Sequence, residues 1–71
     1  MEITQVETRH TYRPLAERSR WTTELRITFA DGSQKGIRYS GKLSQKRAMA
    51  AAQTTATHYP NCLGDAPKWE A

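Results

Sequence analysis

Residues 21–29 carry the clearest pattern in the chain. Trp21, Thr23, Leu25, Ile27 and Phe29 alternate with Thr22, Glu24, Arg26 and Thr28. A period of two, filled with aromatic and β-branched types, predicts a strand with one buried and one wet face. Asp31-Gly32 follows at once, a dipeptide suited to the positive φ angles of a tight hairpin turn. The return strand is predicted at about 34–40, with Lys35, Ile37 and Tyr39 on one face and Gln34, Gly36, Arg38 and Ser40 on the other. Upstream, residues 2–12 are rich in Thr, Val, Ile and Tyr, and Thr4, Val6, Thr8, His10 and Tyr12 share one face. They predict a first strand antiparallel to the second. The connection 13–20 holds Pro14 and three arginines, Arg13, Arg18 and Arg20. Pro14 lacks a donor and disfavours helix at Arg13, so the connection reads as a basic, mobile loop.

After Ser40-Gly41 the period changes. Ser44 is a good N-cap, and Gln45 through Thr57 is Ala-rich with neither Gly nor Pro. Ala48, Met49, Ala52, Ala56 and Tyr59 form one stripe of an amphipathic helix, whose small side chains let it lie close on a sheet. Thr54, Thr55 and Thr57 weaken its last turns, and Pro60 ends it. The expected fold is α+β: a three-stranded antiparallel sheet followed by one C-terminal helix packed on one face. Residues 1–59 make up that β-β-β-α domain. Residues 60–71, with two prolines, a glycine and isolated Leu63 and Trp69, read as an irregular tail that docks locally or stays mobile.

With 71 residues the core is thin. Its large apolar candidates are Ile3, Val6, Leu15, Trp21, Leu25, Ile27, Phe29, Ile37, Tyr39, Leu43, Met49 and Leu63. Cores of this size supply only ~3–5 kcal/mol net, and the single cysteine, Cys62, excludes an intramolecular disulfide. Marginal stability or homodimerisation is therefore expected. The acidic, alternating N-terminus lacks the basic and apolar regions of a secretory signal, and no stretch is apolar enough to span a membrane. The protein is expected in the cytoplasm.

The net charge is +4, but its distribution says more. Residues 9–47 hold ten bases against Glu17, Glu24 and Asp31, a local +7. Such asymmetry suits a polyanion binder, and an ordinary wet surface also tolerates it. Lys42, Lys46 and Arg47 cluster at the helix start, where free N–H groups and the positive dipole end already favour phosphate. These cations oppose the macrodipole. A positive cluster set against local helix preference suggests a purpose. Arg26 and Arg38 stand on the far face of the hairpin, with the Arg13–Arg20 loop as a flexible arm. No nucleophile, base or carboxylate pair forms a catalytic set, so an enzyme is not expected. His58 and Cys62 stand four apart, short of the about four ligands of a structural zinc, so neither a metal nor another cofactor is expected.

From Ser40 to Ala52 the chain resembles the last-strand-to-helix segment of double-stranded-RNA-binding domains. Ser44, Lys46, Ala48 and Ala52 fit that segment, while Gln45 and Met49 stand where the family has lysines. The family's preceding helix and histidine-bearing loop are absent, and the likeness covers about residues 21–57. The whole pattern also resembles the three-strand-plus-helix domains at phage integrase N-termini, which lay their sheet in a DNA major groove. That likeness implies that Arg26 and Arg38 face bases or phosphates. Both imply nucleic acid as the partner. The expected function is therefore non-catalytic nucleic-acid binding through Lys42, Lys46, Arg47, Arg26, Arg38, Arg13, Arg18 and Arg20. The alternative is an accessory protein of the kind phages and mobile elements encode, which binds and modulates a host protein.

Overall fold

The computed structural model of the chain describes residues 2–14 and 19–69. Strands β1 (Ile3–Pro14), β2 (Ser19–Phe29) and β3 (Gln34–Ser40) form one antiparallel sheet in the order β1-β2-β3. Helix α1 (Gln45–His58) follows, then a 3-10 turn at Pro60–Cys62. The α+β architecture read from the pattern is the one observed. Among the described residues no helix is long and apolar enough to cross a membrane.

The inner face of the sheet is set by alternation. Val6, Leu25, Ile27 and Phe29 are buried there and meet Ala48 and Ala52 of α1, with Ile3, Ile37, Tyr39, Leu43, Ala56 and Leu63 packed around them. Burying each of the larger side chains stabilises the fold by ~1.5–3 kcal/mol. The alanines let the helix approach closely. The buried stripe of α1 is Ala48, Ala52 and Thr55, narrower than expected. Met49 is 47% exposed, because its one-residue offset from Ala48 turns its side chain roughly 100° about the helix axis, and Tyr59 is 60% exposed because it is the non-helical C-cap, past the last turn. Thr55 is buried without an orphaned hydroxyl, since its Oγ1 lies 2.6 Å from the Tyr39 Oη.

The tight turn expected at Asp31-Gly32 is a three-residue loop between β2 and β3, residues 30–32. Phe29 N–H donates to Ser33 O at 2.9 Å, and Gly32 N–H donates to Phe29 O at 2.9 Å. Only Gly32 needs positive φ, at +87°, so this is a type I turn closed by a left-handed glycine. Asp31 caps it. Its Oδ1 accepts from the Ser33 hydroxyl at 2.6 Å and the Ser33 N–H at 2.9 Å, and these bonds hold its carboxyl below the usual range.

In the connection expected as a loop over 13–20, the described residues, Arg13, Pro14, Ser19 and Arg20, are sheet. Arg13 pairs with Arg20 and Pro14 with Ser19, extending the β1–β2 ladder past the end of β3. Pro14 is accommodated because β1 is an edge strand, where a missing donor can face away from the ladder. Leu15 and Arg18 lie outside the described residues.

The C-terminal segment docks on the sheet. Gly64 pairs antiparallel with Gly36, with N–H to O distances of 3.0 and 2.8 Å, and so closes the free edge of β3. The chain then crosses the outer face. A Cβ at Gly36 would fall 2.5 Å from Asp65 O and 2.7 Å from Pro67 Cδ, so only glycine admits this approach. Residues 64–69 are thus a strap, opposite the helix.

Candidate nucleic-acid interface

Two residues at the β3–α1 junction fix the start of the helix. Ser44 is the N-cap, its Oγ accepting from Arg47 N–H at 3.2 Å. Thr23, fully buried, binds the junction from below. Its hydroxyl donates to Gly41 O at 2.7 Å and accepts from Leu43 N–H at 2.9 Å. His10 Nδ1 lies 3.0 Å from the same oxygen. The single hydroxyl proton is committed to Gly41, so Nδ1 must be the donor in that contact. These bonds tie β1, β2 and the junction together on either side of Lys42.

Lys42 is thereby set against the projecting end of the β1–β2 ladder. Its Nζ sits 4.7 Å from the centroid of the Trp21 ring. Trp21 in turn meets Tyr12 edge to face, with centroids 5.0 Å apart and planes at 62°. Tyr12 is 46% and Trp21 38% exposed. The next rung pairs Arg13 with Arg20, on the opposite face of the two-stranded arm. Lys46 and Arg47 follow in the first turn of α1, both exposed, and that turn contains no acid. Among the described residues, none of Arg13, Arg20, Lys42, Lys46 and Arg47 pairs with a carboxylate.

Arg26 and Arg38, expected to bind together with the helix-start bases, are not brought to them. Both lie on the outer face, behind the sheet from α1. Arg26 makes a bidentate pair with Glu7, at 2.9 and 2.7 Å, that holds the Glu7 carboxyl below its ordinary range. The guanidinium lies 4.9 Å from the centroid of the Trp69 ring. Trp69 donates its indole N–H to Glu24 at 2.6 Å, and the other Glu24 oxygen is 3.6 Å from Arg38. Arg26 is thus used internally, beside the strap, and Arg38 stays largely exposed at the edge of that network, while Arg13 and Arg20 lie on the same face at the far end of the arm. The resemblance to integrase N-terminal domains would offer this face to a DNA groove. Here it is covered along its Gly36–Arg26–Glu24 line.

Sequence reasoning counted Trp21 among core residues, because alternation puts it on the inner face. Its register supplied the missing signal. Thr22 is the last β2 residue paired with a β3 residue, Ser40, and only the Gly41 N–H reaches Trp21 O, at 2.7 Å, so the Trp21 and Tyr12 rings lie at the margin where the third strand ends. Compared with protein-family models, curated proteins and solved structures, the chain matches none.

Proposed function

We propose that this chain is a non-catalytic, cytosolic nucleic-acid-binding protein that grips phosphates through Arg13, Arg20, Lys42, Lys46 and Arg47. The observation that carries the reading is the rung Arg13–Arg20. Like charges directly opposite in a ladder are destabilising, and no described carboxylate offsets this pair. Lys46 and Arg47 repeat the arrangement at the helix start, where each cation costs ~0.3–1 kcal/mol against the dipole. A bound polyanion turns both costs into gains. Arg26 and Arg38, held by Glu7 and Glu24, have no part in this site.

The test is fluorescence anisotropy of labelled oligonucleotides between ~50 and ~200 mM salt, a range over which phosphate contacts weaken strongly. If all five bases engage, log affinity falls against log salt with a slope of about −3.5 on a single strand, at about 0.7 per phosphate. Replacing Arg13 and Arg20 with Gln lowers both affinity and slope. Absence of binding to any DNA or RNA at the lowest salt overturns the proposal. Salt-insensitive capture of one protein partner that survives nuclease would then favour the accessory-protein reading, for which Tyr12 and Trp21 are suitable anchors.

A further inference from the structure

Resting on that reading, we infer that the nucleic acid is single-stranded and that its bases stack on the Tyr12–Trp21 pair. The arm has two chemically different faces. One carries the exposed rings with Lys42 above Trp21, and the other carries Arg13 and Arg20. A duplex hides its base faces and presents a stiff row of phosphates. Laid on the arginines, it leaves the rings unused; laid on the rings, it leaves the arginines on the wrong side. A flexible single strand offers both chemistries at once. Its backbone can turn round the arm where it is two strands wide, at the Arg13–Arg20 rung just past the Gly41 N–H that bonds Trp21 O, while unpaired bases reach the rings.

The ring geometry suits stacking. Planes at 62° put an edge of one ring against the other, so the pair is not closed into a sandwich. Lys42 at one face of Trp21 is placed for the phosphate that accompanies a stacked nucleotide. Aromatic platforms interleaved with bases are the usual means of holding single strands, and each stacked base typically contributes ~5- to 150-fold in affinity. Trp69 has no such role, because its ring is committed to Arg26 and its N–H to Glu24.

The experiment compares three probes at one salt concentration: a short oligothymidylate of ~10 nucleotides, its oligouridylate counterpart, and a DNA duplex of ~20 base pairs, lengths near the site sizes of small single-strand binders. Anisotropy on the unaltered chain gives affinities. Tryptophan emission in a Trp69→Phe background then reports on Trp21 alone. The expected result is at least ~10-fold preference for a single strand, with quenching of Trp21 emission. Tyr12→Leu lowers single-strand affinity about 10-fold without changing the salt slope, since it removes a ring and no charge. Equal or tighter duplex binding, indifferent to Tyr12→Leu, overturns this inference and leaves the wider proposal standing. Binding of no probe overturns both. Tyr12 is half exposed, and far-UV circular dichroism of the variant separates lost stacking from lost fold.

Discussion

Replacing Thr23 with Val tests how the helix start is held. Valine has nearly the same shape as threonine and fills the same buried space, so the change removes a hydroxyl and little else. Three partners lose their bond: Gly41 O, Leu43 N–H and His10 Nδ1. The two backbone groups are partly shielded at the junction and cannot simply turn to water. An unsatisfied buried group costs ~1–3 kcal/mol, and taking ~1–1.5 kcal/mol for each of these partly shielded groups gives ~2–3 kcal/mol. His10 is half-buried and recovers most of its bond from solvent. A domain of this size has ~4–10 kcal/mol in total, so the loss is large. The expected fall in Tm is ~10–20 °C, followed by far-UV circular dichroism. Thr23→Ser keeps the hydroxyl and loses a methyl, costing ~1 kcal/mol. Amide exchange at Leu43 should quicken in Val but not in Ser. The reasoning fails if Val lies within ~0.5 kcal/mol of the unaltered chain, the spread of an ordinary surface change, or if Ser is as damaging as Val.

Gly36→Ala places a methyl against backbone atoms of the strap, so residues 64–69 must lift. The expectation is a destabilisation of ~1–3 kcal/mol and a red shift of Trp69 emission, measured in a Trp21→Phe background. Stability should also fall in acid through Glu7. Its folded pKa is lowered, first by the hydrogen bond from Arg26, so its contribution is complete above the ordinary glutamate range and is lost as pH falls through the folded value. Urea titrations across that window should show a shallower acid limb for Glu7→Gln, and an unchanged limb would refute the assignment. Ser44→Ala removes the N-cap and should cost ~1 kcal/mol, read from thermal unfolding.

The sheet was legible because Trp21–Phe29 has one period and one plausible turn, and the helix because Ser44 and Pro60 bracket an uninterrupted Ala-rich run. What escaped was placement across elements. Pro14 and three arginines look like a loop, yet an edge strand tolerates proline, so the ladder runs to the Pro14–Ser19 rung. Trp69 looks isolated in a Pro- and Gly-rich tail; its partners Glu24 and Arg26 are more than forty positions away, beyond the reach of any local pattern. The pairing of Arg26 with Glu7, nineteen positions apart on neighbouring strands, was hidden in the same way. Counting charge by segment registered a local excess, while folding divided that excess between the two faces of one sheet.

That division yields a contrast in which stability and affinity move independently. Arg26→Met keeps much of the aliphatic bulk but leaves Glu7 unpaired and removes the guanidinium beside Trp69. The pair is partly exposed, with side-chain accessibilities of 23% and 32%, so its loss is screened by solvent and should lower the urea midpoint only slightly. Nucleic-acid affinity and its salt slope should stay as they were. Arg20→Thr does the reverse. It relieves the like-charge rung with Arg13 and supplies a residue that suits strands, so stability should hold or rise by a few tenths of a kcal/mol. Affinity should fall, with the salt slope reduced by about 0.7 on a single strand. Were Arg26→Met to weaken binding as much as Arg20→Thr, the strap-covered part of the outer face would have to belong to the site together with the Arg13–Arg20 rung, and the strap would have to move when ligand arrives. Were Arg20→Thr to destabilise the chain instead, the arginine rung would be a structural feature, and the main reason for assigning nucleic acid to the arm would be gone.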